Sequence, residues 1–439
     1  MERKVATRLS RWKENPDKKP LVLFGARQTG KTTSVLDFGT ERYPHVIHID
    51  FYRQPQAKAA FSSSLEPQAI LQALEAILRT DIAPDKTLLF LDEIQECDQA
   101  MTALKFFCTD MPELDVIAAG SLLGVHVTRN GSFPVGYVDM LTMHPMDFEE
   151  FCWATGERKS FDLVRNSYAT LAPCPLHDHM IELYRAYLMV GGMPEAVLRH
   201  AEGNSLEHVR SIQRNITTAY IADMAKYAEA TDASKIVACW ESLPSQLAKE
   251  TGSTKFAWKL VAAGAKADRY GNAVDWLDAS GIVSKCTQVT DAVSPLKSFE
   301  NATSFKLYMA DTGLLASAYD ALPQDLDGID HRSARFRGGM AENYVMQQLV
   351  ARDAKPHYWG MQSRGEVEFL LNLDGQVTPI EVKSKTHVRA ASLNTFMAKY
   401  GCARAIRVSA KNFGKEGALS SVPLYAACLI AERHTGTAR

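Results

Sequence analysis

At 439 residues the chain is longer than one compact core accommodates and has room for two to four domains. Hydrophobic residues at 46% and charged residues at 23% are ordinary for a globular protein, which excludes global disorder and collagen-like repeats. The net charge of −2 hides an imbalance: from His331 onward there are 16 Lys+Arg against 8 Asp+Glu, a net of +8, while the remainder carries 33 against 43, a net of −10. A basic tail on an acidic body predicts a polyanionic partner such as DNA or RNA, with a solvated basic face as the alternative.

The longest apolar stretch, around Tyr187–Val197, is interrupted by Gly191, Gly192, Pro194 and Glu195, so no membrane association is expected. Met1-Glu2-Arg3-Lys4 leads into a polar stretch without the apolar core of a secretory signal. The eight cysteines form no CxxC pair, so neither a zinc site nor a disulfide framework is indicated and a reducing cytoplasm fits.

In chain order, Leu21–Phe24 reads as a strand ending at Gly25, followed by a helix from Lys31 to about Phe38. His45–Asp50 reads as a second strand and Leu65–Leu78 as a helix with Ile70, Leu71, Leu74, Ile77 and Leu78 on one face. Leu88–Leu91 is a continuous apolar run, as expected of a strand buried on both faces. A helix with Met101, Leu104 and Cys108 inward follows, then a strand over Asp115–Ala119. Alternating strands and helices predict an α/β fold with a parallel sheet covered on both sides.

The middle third reads as helical. Asp147 is placed to cap a helix with Glu150 as the return partner. A helix around Met180–Met189 stops at Gly191-Gly192, and Val209, Ile212, Ile216, Tyr220 and Tyr227 mark a long amphipathic helix from Leu206. Residues 233–289 read as short helices and a strand at Gly281–Lys285, the pattern of a winged helix. The last hundred residues give a helix around Met340–Val350 and strands at Val367–Leu371 and Val377–Val382 about an Asp374-Gly375 turn. A helix over Ser392–Tyr400 and a strand at Ala405–Val408 follow.

Gly25-Ala26-Arg27-Gln28-Thr29-Gly30-Lys31-Thr32 matches GxxxxGK[ST] between a strand and a helix, and Thr33 follows it. Backbone N–H groups of such a loop cradle phosphate oxygens at a helix N-terminus. Lys31 is expected to reach the β/γ-phosphates of ATP, and Thr32 with Asp92 to hold Mg²⁺. Glu93, at the end of the apolar strand, is the candidate to polarise the attacking water. Ser121, just after the next strand, is either a sensor of the γ-phosphate or an ordinary turn serine. Arg129 and Arg185 are the candidates for an arginine acting on a neighbouring site, each equally readable as a surface residue.

These residues resemble the AAA-type ATPases of bacteria and archaea that carry a C-terminal domain of unknown function. The resemblance rests on the phosphate loop, the acid strand Leu88–Gln95, Ala119–Leu123, His144–Phe151, Gly191–Val197, Lys306–Leu315 and Ile380–Lys383. It implies an ATPase core over 1–150, a helical lid over 151–232, a winged helix over 233–330 and a restriction-endonuclease-like domain over 331–439. Many members have a basic residue where this chain reads Pro134–Val138, and Tyr137 cannot stabilise phosphate charge. In the winged helix, Ser245–Ala248 would start the second helix and Arg269-Tyr270 would lie on the third. Asp268, Asp275 and Asp278 offset Lys266 and Arg269 there, so the module serves either DNA binding or packing.

In the tail, Glu368 precedes Glu381-Val382-Lys383 by thirteen residues across a turn, which brings two carboxylates to adjacent strand ends with a lysine beside them. Glu342 fits the family's additional helical acid. A divalent-metal nuclease site and a nuclease-like fold kept for binding or oligomer packing are both open. The expected function is therefore Mg²⁺-dependent ATP hydrolysis by a protein that acts on or is bound to nucleic acid through its basic C-terminal domain. A nucleotide-controlled switch binding a protein partner is the alternative, and assembly into an oligomer is compatible with either.

Overall fold

The structure is a computed structural model that describes residues 1–121, 133–227, 230–249, 253–327, 331–361, 365–384 and 391–432. It divides into two compact units, Met1–His144 with Ala279–Gly281, and Pro145–Asp278 with Ile282–Arg439.

In the first unit, β1 (Leu21–Phe24), β2 (His45–Asp50), β3 (Thr87–Asp92), β4 (Asp115–Ala119) and β5 (Asp139–Thr142) form a parallel sheet in the order β2-β3-β4-β1-β5. Side-chain alternation divides its strands between two cores. Leu21, Leu23, Leu88, Phe90, Ile117 and Ala119 pack with Val5, Leu9, Trp12, Val35 and Phe38. Val22, Leu89, Leu91, Val116 and Ala118 pack with Ile70, Leu71, Leu74, Met101, Leu104 and Phe107 on the opposite face. Each fully buried leucine contributes about 1.5–3 kcal/mol, which explains why β3 is apolar on both faces. Two helices, Lys4–Glu14 and Lys31–Arg42, cover the first face, and Pro67–Leu78 and Asp98–Asp110 cover the second. The polar N-terminal stretch is thus the helix Lys4–Glu14, which hides its apolar stripe of Val5, Leu9 and Trp12 among basic residues. Cys108 is only half-buried, unlike Met101 and Leu104.

In the second unit, β6 (Val283–Val289), β7 (Glu300–Met309), β8 (His357–Met361), β9 (Gly365–Leu373), β10 (Gln376–Val382), β11 (Ala405–Ser409), β12 (Gly414–Glu416) and β13 (Leu419–Pro423) form one sheet. Their order is β12-β13-β11-β10-β9-β8-β6-β7. Short helices Ala230–Glu241, Leu243–Leu247 and Ala267–Ala279 precede the antiparallel pair β6-β7. That pair continues into the C-terminal strands, because β6 runs parallel to β8 at Thr287–His357. The tail strands and the hairpin before them therefore share one sheet across residue 331.

The helix His331–Val350 is buried along much of its length, and its polar positions are matched to backbone ends. Asn343 pairs with the N–H and C=O of Met309, and Gln347 Oε1 accepts from the N–H and hydroxyl of Thr312. Gln348 accepts from Phe148 N at 2.8 Å and donates to the Tyr187 hydroxyl. Asp311 Oδ2 accepts from Gly192 N at 2.5 Å. A Cβ at Gly192 would lie 2.0 Å from Met146 O, so no side chain fits there. Asp147 caps Phe148–Ala154 with Glu150 completing the capping box. The motifs at 145–151, 191–197 and 310–315 thus meet as a buried structural junction. No helix among the described residues is long and apolar enough to cross a membrane.

Candidate active site

The C-terminal ends of β1, β3 and β4 lie together because β4 is the strand between the loop strand and the acid strand. Gly25 opens the loop at φ +137°, and a Cβ there would lie 2.1 Å from Met143 O. Residues 25–30 turn into the helix Lys31–Arg42, which exposes its first N–H groups to the loop. Thr29 Oγ1 donates to Ala26 O at 2.9 Å, and Arg3 donates to Thr29 O and His144 O, both at 2.8 Å. The loop is thereby braced from inside and from the N-terminal segment.

Lys31 Nζ donates to Gly25 O at 2.8 Å and Ala26 O at 2.7 Å. Burial lowers its ammonium to about 8, against the opposing pull of Glu93 and Asp92. Thr32 Oγ1 donates to Asp92 Oδ2 at 2.7 Å, so the two expected metal-holding oxygens are side by side. Hard oxygen donors of this kind suit Mg²⁺. Glu93 sits in the left-handed region at φ 50°, where its carboxylate accepts from Gln95 Nε2 at 2.5 Å and Ser121 Oγ at 3.3 Å. Ser121 is buried and touches the acid expected to polarise water. Arg27 and Gln28 lie within the loop, where Gln28 holds φ 65°, and Thr33 lies in the first turn of the helix.

Sequence reasoning missed three supports of this site. His48 on β2 stacks on Phe90 and places Nε2 3.4 Å from Asp92 Oδ2. Gln95 and Arg3 are the other two. The β2–β3 register pairs His48 with Phe90, but nothing in the sequence distinguishes that histidine from His45. Arg129, Leu122 and Leu123 lie outside the described residues. Arg185 is ion-paired with Asp327 at 3.1 Å. Tyr137 lies beneath the Lys105 ammonium, 5.0 Å from its ring centre.

Glu368 and Glu381 both approach Lys383 at one end of the tail hairpin. The β9–β10 ladder reaches Ile380 opposite Phe369, leaving Glu368 and Glu381 at its open end. Lys383 Nζ stands 2.8 Å from Glu368 Oε1 and 3.7 Å from Glu381 Oε1. Glu342 lies in the same cluster through Lys306, whose Nζ is 2.7 Å from Glu342 Oε1 and 2.5 Å from Glu366 Oε1. Lys306, Glu366 and Arg407 were not foreseen, since a fully buried lysine breaks the apolar pattern of a strand. Among the described residues no group of three or more His, Cys, Asp or Glu side chains is placed to hold a metal ion.

Residues 17–152 match the AAA domain, 181–325 a domain of unknown function (DUF8612) and 337–425 another domain of unknown function (DUF4143). No curated protein matches the chain. Among solved structures, the Walker-type ATPase paby2304 of Pyrococcus abyssi overlaps at 15% identity and TM-score 0.43, covering 72% of this chain and 95% of that one. The Aeropyrum pernix ORC1 protein in complex with DNA overlaps at 12% identity and TM-score 0.28, over 72% of this chain and 90% of that one. Protein VC1899 of Vibrio cholerae covers 94% of this chain and 97% of its own at 10% identity and TM-score 0.18. Residues 17–152 are thus an AAA-type P-loop domain, and the structural overlaps are too loose to carry a function across.

Proposed function

We propose that the chain binds ATP with Mg²⁺ in the loop Gly25–Thr33 and hydrolyses it, and that the basic segment from His331 holds DNA or RNA. The observation that carries the first part is the convergence of Lys31, Thr32, Asp92, Glu93 and Ser121 at three strand ends. Loop N–H groups receive the phosphate oxygens, and Lys31 exchanges two neutral carbonyls for phosphate charge. Thr32 and Asp92 would hold Mg²⁺, which when bound neutralises charge on the phosphates. Glu93 takes the proton of the attacking water, while Ser121 and Gln95 fix its carboxylate. Residues 1–150 serve as the ATPase core, 151–232 as lid, 233–330 as a winged-helix module and 331–439 as the polyanion-binding tail.

Support for the second part is the +8 balance of the tail, with Lys355, Lys399, Lys411 and Lys415 exposed. The test measures ATP turnover of the full chain with and without DNA, and labelled-duplex binding across salt. Turnover that requires Lys31 and binding that weakens steeply between low and physiological salt are expected. Salt-insensitive binding, or none at low salt, points instead to a protein partner controlled by nucleotide.

A further inference from the structure

The restriction-endonuclease resemblance implies a divalent metal among Glu342, Glu368 and Glu381, and the donors around these carboxylates test that implication. Glu342 Oε1 accepts from Thr254 Oγ1 at 2.7 Å, Lys306 Nζ at 2.7 Å and Tyr308 OH at 2.5 Å. Glu366 Oε1 is 2.5 Å from Lys306 Nζ and its Oε2 accepts from Ser253 Oγ at 2.9 Å. Glu368 Oε1 accepts from Lys383 Nζ at 2.8 Å and its Oε2 from Val382 N at 3.3 Å. Glu381 Oε2 accepts from Arg407 Nε at 3.0 Å, and its Oε1 stands 3.7 Å from Lys383 Nζ. Among the described residues, every oxygen of these four glutamates except Glu342 Oε2 therefore faces a donor. The Lys306 side chain is 0% exposed, so its ammonium has no solvent to retreat into.

The same carboxylates are ion-paired throughout. Glu342 and Glu366 are set against Lys306, Glu368 against Lys383, and Glu381 against Lys383 and Arg407. Burial works to lower the Lys306 ammonium, but Glu342 and Glu366 outweigh it and raise it, so it stays charged. Mg²⁺ requires near-octahedral oxygen ligands at about 2.0–2.1 Å. Entry of such an ion would have to break a buried ion pair, and removing one partner of a buried pair is strongly destabilising.

We infer that Lys306 and Lys383 are the resident cations of this cluster, so the tail carboxylates form an ionic lock and not a divalent-metal site. The lock ties Ser253, Thr254 and β7 to the helix His331–Val350 and to β9 and β10. It joins the segment matched over 181–325 to that matched over 337–425. The tail then holds polyanions without cutting them. This inference stands on its own residues, and the nucleotide reading can fail without it.

The test uses the full chain carrying Asp92→Asn, without nucleotide, so that the loop site lacks its carboxylate. Mn²⁺ alone is titrated to millimolar concentration and bound metal is followed by electron paramagnetic resonance. No site that Glu368→Gln or Glu381→Gln removes is expected, and the urea midpoint is the same with manganese as with a chelator. In parallel, labelled single-stranded and duplex DNA and RNA stay intact with Mg²⁺ or Mn²⁺ in the unsubstituted chain. A Mn²⁺ site lost in Glu368→Gln overturns the inference. So does cleavage that Lys383→Ala abolishes and Lys31→Ala retains.

Discussion

Lys31 and Lys306 are both buried lysines near carboxylates, but they are held differently. Lys31 leans on two neutral carbonyls of its own loop, while Asp92 accepts from the Thr32 hydroxyl and from Glu93 N and lies beside the His48 imidazole. Lys306 is clasped by Glu342 and Glu366. A hydrogen bond from a charged group to a neutral partner is worth about 1.5–3 kcal/mol, whereas breaking one side of a buried ion pair costs about 3–5 kcal/mol. The first arrangement can be traded for a phosphate; the second resists exchange. Similar residue types thus make an open, exchangeable site in one unit and a closed one in the other.

Four substitutions probe that contrast, from the largest expected effect to the smallest. Lys31→Ala removes the charge facing the phosphates and should abolish nucleotide binding, with turnover down by about 10²–10³-fold or more, the scale of losing one electrostatic donor. Binding of a fluorescent ATP analogue reads this out, and retained affinity would show that the carbonyl-held lysine is structural. Glu93→Gln keeps the shape of the site but removes the base. Turnover should drop by about 10²–10⁴-fold while ATP stays bound, as rapid filtration with radiolabelled ATP will show. Wild-type turnover in that variant removes Glu93 from its role.

On the closed side, Glu342→Gln leaves Lys306 with one carboxylate and should cost about 3–5 kcal/mol in urea unfolding, with ATP turnover per folded molecule nearly unchanged. A loss under 1 kcal/mol, the value of a surface pair, would break the contrast between the two lysines. The smallest effect belongs to His48→Asn. Asparagine loses the stacking on Phe90 and the imidazole beside Asp92, and supports of this kind affect metal affinity by about 10–100-fold. The Mg²⁺ concentration for half-maximal turnover should rise by that order, with saturating turnover much less affected. An unchanged Mg²⁺ dependence makes His48 a packing residue.

Short-range signals were legible wherever chemistry and spacing coincide. The loop, the both-faces-buried strand β3, the Asp147–Glu150 capping box and the Asp374-Gly375 turn follow from local rules that leave few alternatives. The sequence also placed Glu368 and Glu381 on one hairpin, because register within a ladder is local. The strands β5 and β7 were not anticipated, the first because four residues at a sheet edge carry little pattern. In β7 the buried Lys306 interrupts the otherwise apolar run Phe305–Met309. The motifs at 145–151, 191–197 and 310–315 could be recognised but not interpreted, since their close approaches, such as Gly192 against Met146 O, join residues far apart in the chain.

The amino-acid sequence by itself determined that one region is a phosphate loop with an acid strand, that the tail is basic, and that two acids and a lysine share a hairpin. Only the tertiary structure decided which groups those acids meet. Lys306 lies 36 residues from Glu342, and Lys31 and Lys306 look alike as letters. Whether a buried ammonium rests on neutral carbonyls or on carboxylates depends on which strand ends are brought together. Electrostatics in a low-dielectric interior acts over ångströms in space and takes no account of separation along the chain.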